Sequence, residues 1–225
     1  MIFFFFSPAG AAPPAGIDLR DCLEAIYPTL NAQGPGDLVW WTESELYAWL
    51  DEAAKKLARS TGCFLTRDDT TVVVVAGTGA YSLPARHIST VHASLSGRML
   101  DRSNVQELEA RDSAWPDSQA DISQPFPLRY SLDAGGPTSI VLHPKPNTGG
   151  GGPLAIVMHQ YPATIEAGAS VAALPAPLRE YFTFFALGEA RGKESKGAMY
   201  EVGRWYRQLA GLVEQVAMDY YGQAQ

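Results

Sequence analysis

The stretch Val72-Val73-Val74-Val75-Ala76-Gly77-Thr78-Gly79-Ala80-Tyr81-Ser82 sets an apolar run against a pair of glycines. Two readings compete: a nucleotide-binding strand with its phosphate loop, or a turn between two strands. A dinucleotide fingerprint needs G-x-G-x-x-G between a strand and a helix, so that pyrophosphate meets the helix N-terminus. Gly77 and Gly79 fit, but Ser82 stands at the third position and Leu83-Pro84 follows. Proline biases the residue before it away from helical geometry, so no helix starts where the phosphate would sit. The stretch therefore reads as a β-hairpin.

Outward from it the chain keeps a β period. Ile88 to Leu95, Leu128 to Leu132, Ser139 to His143 and Leu154 to Tyr161 are short β-type runs. Asp68-Asp69, Gly135-Gly136-Pro137 and Asn147 to Pro153 read as turn clusters between them. Gly149 to Gly152 reads as a flexible hairpin loop, and Ser103 to Ala110 as one short helix capped by Ser103.

Both flanks are helical in pattern. Asp18 can cap a helix carrying Leu19, Cys22, Leu23, Ile26 and Leu30, stopped by Gly34-Pro35-Gly36. Thr42-Glu43-Ser44-Glu45 is a capping box, in which the Thr and Glu side chains satisfy each other's backbone donors. Behind it Leu46, Leu50, Ala53 and Leu57 share a face, with Gly62 as C-cap. Pro175-Ala176-Pro177 starts another helix, with Leu178, Tyr181, Phe182 and Phe185 inward. After a polar break at Gly192 to Gly197, Met199, Val202, Tyr206, Leu209, Val213, Val216 and Tyr220 step by alternating threes and fours. That is a heptad seam. At about 1.5–3 kcal/mol for each buried side chain, such a stripe calls for other helices to cover it.

The expected fold is α+β: a helical bundle built from both chain ends (17–61 plus 172–225) with an inserted antiparallel β-rich domain (62–171). A flexible N-terminal arm (1–16) precedes it. Its Pro/Gly/Ala tract from Pro8 to Gly16 cannot make a core. Phe3, Phe4, Phe5 and Phe6 would be costly in water and are expected to dock on this chain or a neighbouring one. The run from Ile2 to Phe6 is too short for a signal-peptide core and follows no Lys or Arg. No stretch approaches the ~18 apolar residues of a membrane span.

Charge narrows function. With 17 Lys and Arg against 24 Asp and Glu, the net charge is -7. A surface that grips phosphates needs clustered Lys and Arg. Cys22 and Cys63 match no metal or redox spacing and read as buried free thiols. Gly188 to Glu194, GEARGKE, lacks the P-loop gap, the Ser/Thr after Lys and a preceding strand, and reads as a polar hinge. His87, His92, His143 and His159 show no metal-ligand spacing; His87 and His92, five apart, would face opposite sides of a sheet. Asp112, Asp117 and Asp121 lack EF-hand spacing and read as a solvated loop. No G-x-S-x-G elbow and no Cys–His pairing anchors nucleophilic catalysis. No catalytic residue, metal site or cofactor is expected. Trp40-Trp41 and Tyr220-Tyr221 stand at element ends, where core packing is the favoured role and interface anchoring the alternative.

The order of these pieces resembles the head-to-tail adaptor proteins of tailed phages, the portal-binding neck or tail-tubular type. The stretches that carry it are WTESELYAWLDEAAKKLARSTGCFL, then YSLPARHISTVHASLSGRMLDRSNVQELEARDSAWP. PLRYSLDAGGPTSIVLHPKPNTGGGGPLAIVMHQYP and LREYFTFFALGEARGKESKG follow, leading to the terminal helix. The similarity runs from Val39 to Tyr221 and is one of order and spacing. It implies a virion protein of the neck, assembled in the host cytoplasm as a homo-oligomeric ring of twelve subunits. The ring would join the portal to the next tail or nozzle protein, with DNA passing through its lumen. An acidic balance suits a lumen along which DNA slides. The rival readings are a β-sandwich tail module that binds a glycan or other ligand, and a hydrolase assembled from scattered Asp, Glu and His.

Overall fold

The computed structural model describes residues 17–32, 38, 40–120, 124–132, 134, 136, 138–165, 170–171, 178–193 and 199–222. The Phe arm, the Gly34-Pro35-Gly36 stop, the Pro175-Ala176-Pro177 start, Asp121 and the Asp18 side chain lie outside them. In chain order the first elements are β1 (Ile17–Asp18), α1 (Leu19–Thr29), α2 (Glu43–Thr61), β2 (Leu65–Asp68), β3 (Val73–Val74) and β4 (Ala80–Ser82). Next come β5 (His87–Leu95), β6 (Arg98–Arg102), α3 (Val105–Arg111), β7 (Arg129–Ser131), β8 (Ser139–His143) and β9 (Gly152–Gln160). β10 (Ser170–Val171), α4 (Arg179–Gly192) and α5 (Tyr200–Gly222) complete the chain. The chain is α+β, and it divides into two compact units, Leu65–Gln160 and the two flanks Met1–Phe64 with Tyr161–Gln225.

In the flanking unit α2 begins as its sequence demands. The Glu45 amide donates to the Thr42 hydroxyl at 3.3 Å and the Thr42 amide donates to the Glu45 carboxylate at 2.9 Å. At the other end Gly62 takes φ 63°, and its N–H closes on the Ala58 carbonyl. This left-handed turn costs glycine nothing. Leu46, Leu50, Ala53 and Leu57 are fully buried, in one core with Cys22 and Ile26 of α1 and Tyr181, Phe182 and Leu187 of α4. Thr42→Ala is expected to lower this unit's stability by about 1 kcal/mol, read as a shift in the urea midpoint at unchanged slope.

GEARGKE is not a hinge: α4 runs through Gly188 to Gly192 before Lys193 ends it. A helix tolerates the glycine there because α5 packs against it, as described below.

In the other unit the strands run β2-β9-β5-β6-β7-β8-β4, with β3 also on β9. Pairing is antiparallel except between β6 and β7, which run parallel, so the all-antiparallel expectation is corrected. The opening stretch does supply two strands and a turn, but they do not form a hairpin. β3 pairs with Gly152 and Pro153, while β4 pairs with Ser139 to Val141. The turn is closed by a side chain: the Tyr81 hydroxyl accepts from the Val75 amide at 3.0 Å and donates to the Thr78 carbonyl at 2.6 Å. Nor is Gly149 to Gly152 a hairpin loop, for β8 and β9 are not partners. A Cβ on Gly151 would sit 2.7 Å from the Val74 carbonyl oxygen, so this segment is packed against the start of the sheet.

The hairpin that does form joins β5 to β6 through Ser96 (φ 50°) and Gly97 (φ 76°), the backbone a two-residue turn between twisted strands requires. The core of the unit is Leu95, Tyr130, Ile140, Leu142, Leu154, Ile156 and Met158. The short helix α3 is capped by Asn104 rather than Ser103. The Asn104 side chain accepts from the Glu107 amide at 2.8 Å, and Ser103 is drawn into the sheet by donating its amide to the Tyr130 carbonyl.

Candidate functional site

Several of the charged and polar residues singled out in the sequence are held by local hydrogen bonds and ion pairs. The Asp68 carboxylate borders an open cavity of about 390 Å³, yet it accepts from the amides of Thr70 and Thr71 and from both their hydroxyls. Burial pushes its pKa up, and these bonds together more than reverse that and hold it below the carboxylate range. Asp112 likewise accepts from the Ser118 hydroxyl and the Ala114 amide, and Asp117 pairs with Lys145 at 3.2 Å. His87 meets the Thr90 hydroxyl at 2.8 Å, and His143 lies edge-on to Trp115. Two register shifts between His87 and His92 break the strict alternation on which their opposite-face reading rested. Among the described residues no three His, Cys, Asp or Glu are grouped to hold a metal ion. Cys22 and Cys63 form no disulfide with each other, the Cys22 thiol donates to the Arg179 carbonyl at 3.9 Å, and burial pushes the Cys63 thiol up to about 11.

The surface that stands out is α5, and it is not the expected seam. At 100° per residue, positions seven apart share a face. The face α5 buries is Gly203, Ala210, Glu214 and Ala217. Small side chains win it because α4 comes so close. A Cβ on Gly203 would lie 2.9 Å from the Gly192 nitrogen and 3.1 Å from the Gly188 oxygen. Of the seam residues, Val202, Tyr206, Leu209 and Val213 are therefore half-buried on one flank, while Met199, Val216 and Tyr220 are exposed. Glu214 reaches Lys56 of α2 at 3.2 Å, and Arg207 holds Glu189 of α4 at 3.0 Å. Two ion pairs thus accompany this rotation of α5 about its axis.

That rotation leaves a second apolar stripe outward. Trp205, Leu212, Val216 and Tyr220 are its exposed members, and half-buried Val202 and Leu209 complete the helical spacing at its edge. Trp205 is 54% exposed, Leu212 65%, Val216 48% and Tyr220 42%. The stripe spans ~27 Å at 1.5 Å per residue. It is not loose: the Trp205 ring stands edge-on to Tyr206 at 5.0 Å, and Tyr206 stacks on Phe184 at 6.1 Å. A held aromatic flanked by aliphatic side chains is the composition of an interface anchor. Sequence reasoning missed Trp205 and Leu212 because it followed the strongest heptad. The signal was the small-residue track Gly203, Ala210 and Ala217 beside it, which marks where a helix can approach closely.

The structure separates the four aromatics proposed at element ends. Trp41 is 3% exposed, donates its indole N–H to the Ala190 carbonyl at 2.8 Å and lies under the Arg191 guanidinium. It is a core residue. Trp40 is 41% exposed. Tyr220 sits on the outward stripe, edge-on to Tyr221, which is half-buried with its phenol pushed by burial up to about 12.

One electrostatic tie has a pH consequence. Glu45 serves the α2 cap and also pairs with Lys193 at the end of α4. The Lys193 hydrogen bond first, then the Thr42 amide, hold its pKa below the ordinary carboxylate range. A depressed acid adds stability that is complete above the unfolded-state pKa and lost as pH falls through the folded one. Stability is therefore expected to drop on acidification through the carboxylate range. Glu45→Gln should flatten that slope, as read by urea melts from neutral pH to pH ~3.

The chain is α+β, and α5 displays Trp205, Leu212 and Val216 on its outer side. The chain is a member of the SU10 adaptor protein family, whose model matches residues 18–224. This agrees with the resemblance to phage head-to-tail adaptors read from the order of its elements. No curated protein matches the chain. No helix among the described residues is long and apolar enough to cross a membrane.

Proposed function

We propose that this chain is the subunit of a homo-oligomeric ring of twelve in the neck of a tailed phage, clamped between the portal and the next tail or nozzle protein. The observation that carries the reading is the family match over residues 18–224, on a chain whose α5 exposes Trp205, Leu212 and Val216. In this account the two flanks of the chain act as one helical bundle, the body of the ring, and the β-rich domain inserted between them reaches neighbours or the distal tail. The outward stripe of α5, with Trp40, Tyr220 and the Phe3 to Phe6 arm, makes the contacts. Trp41 and Tyr221 support them from behind. DNA passes through the lumen without sequence-specific binding, and no catalysis or cofactor is involved. Net charge of -7 supports this, because a like-charged wall lets DNA slide. The particle assembles in the host cytoplasm.

Co-sedimentation with purified portal protein tests the proposal. The chain should pellet with portal assemblies at a fixed ratio and stay in the supernatant with an unrelated ring protein. A chain that ignores portal and binds a glycan instead would replace this reading with that of a tail-borne binding module.

A further inference from the structure

We infer that the open cavity of about 390 Å³ beside β2 takes an aspartate or glutamate side chain of a partner protein, with Arg86 holding its carboxylate. The inference rests on the adaptor reading for the partner being a protein, and it names what the β-rich unit would grip. Strand geometry builds the cavity. Thr66 on β2 pairs with Met158 on β9, and side chains two apart on a strand share a face. Asp68 and Gln160 therefore stand on the same side as Thr66 and the buried Met158. Pro84, Ala85 and Arg86 complete the lining. The His87 amide donates to the Pro84 carbonyl at 2.9 Å, which closes a turn and places Arg86 at its third position. His87 is itself the strand partner of Gln160, so the turn is anchored beside the same end of β9.

Three of the four charges on the lining are already answered. The Asp68 carboxylate accepts the amides and the hydroxyls of Thr70 and Thr71, and Arg67 faces Asp69 at 3.9 Å. The Arg86 guanidinium has no partner among the described residues, and neither have the Thr66 hydroxyl and the Gln160 side-chain amide. These three groups offer mainly donors: five guanidinium N–H, an NH₂ and a hydroxyl. A carboxylate is an acceptor only, and a guanidinium can hold it through two parallel bonds. No lining residue is aromatic, so a sugar ring finds no ring face to lie against. The volume also stands near the small end of ligand cavities, which run from ~300 to ~1,000 Å³. One acidic side chain suits this space better than a glycan.

Saturation-transfer difference NMR on the full chain tests this with three small probes: N-acetyl-glutamate N-methylamide, its glutamine counterpart, and glucuronate. The glutamate probe should bind saturably with a dissociation constant on the order of 1 mM, as its size allows, and the other two should bind more weakly. Arg86→Gln should weaken the glutamate probe about tenfold or more, the loss expected when a hydrogen bond to a charged group goes. Arg86→Lys, which keeps the charge without the paired donors, should fall between. Arg111→Gln on α3, outside the lining, should bind like the parent chain. No saturable signal, or equal binding by Arg86→Gln and the parent, would overturn the inference. So would a glutamine probe that binds as well as glutamate. Tighter binding of glucuronate would overturn it in favour of an acidic sugar. Portal co-sedimentation separates the two proposals. Portal binding by a chain that ignores the glutamate probe removes the cavity contact alone, and probe binding by a chain that ignores portal removes the adaptor reading alone.

Discussion

Gly203→Val is expected to cost about 3 kcal/mol, the upper end for forcing volume into a packed contact, whereas Gly211→Ala on the same helix is expected to stabilise by about 0.5–1 kcal/mol. Helix propensity predicts the same sign for any residue that replaces glycine in mid-helix, so it cannot separate the two. The surroundings do. A Cβ at Gly203 meets the Gly192 nitrogen at 2.9 Å, the Arg191 carbonyl carbon at 3.1 Å and the Gly188 oxygen at 3.1 Å, and all three are backbone atoms that no rotamer change can move. A Cβ at Gly211 meets nothing within 4 Å. Urea melts of the two variants read the difference. Equal effects at both positions would mean that α4 and α5 are not in backbone contact, and the outward stripe would lose its geometric basis.

Trp205→Ala is expected to weaken association between subunits at least about thirty-fold, the 2 kcal/mol or more that marks an interface hot spot. The ring is exposed in the lone subunit, yet held in place by Tyr206 and Phe184, so little ordering remains to be done on binding. Unfolding of the lone subunit should change by only ~0.5 kcal/mol, as for a surface substitution. Met99→Ala is the control, since Met99 on β6 is 63% exposed but lies off the helix, and it should leave association unchanged. Concentration-dependent sedimentation velocity of both variants beside the parent chain measures association, and urea melts measure unfolding. If Trp205→Ala assembles like the parent chain, the stripe is not an interface.

What the sequence showed, and what it hid, divides by the range of the deciding force. The mixture of helix and sheet, the Thr42–Glu45 capping box and the Gly62 stop depend on bonds within a few residues, and they could be read directly. The inward face of α2 followed from period alone. Pairing partners could not be read so. Val73-Val74 and Ala80 to Ser82 lie close in sequence, but the first pairs with Gly152 and Pro153 and the second with Ser139 to Val141, both far along the chain. β6, Arg-Met-Leu-Asp-Arg, was missed because its only buried apolar residue is Leu100. Its clearest sign was the Ser96-Gly97 turn before it. α5 shows the same limit on a larger scale. Its heptad marked an apolar arc correctly, but which part of the arc is covered was decided by glycine and alanine on α4 and α5. Residues without bulk leave no trace in a hydrophobic count. The surface proposed for contacts is the remainder of that arc, so it could be located only once α4 was in place.

The account stands most directly on the shape of the assembled particle. Negative-stain class averages of the chain mixed with portal protein, with mass from light scattering, should show a closed ring with an open centre seated on the portal and a mass step of twelve 24.3 kDa subunits. A chain that remains a 24.3 kDa monomer beside undecorated portal would contradict it.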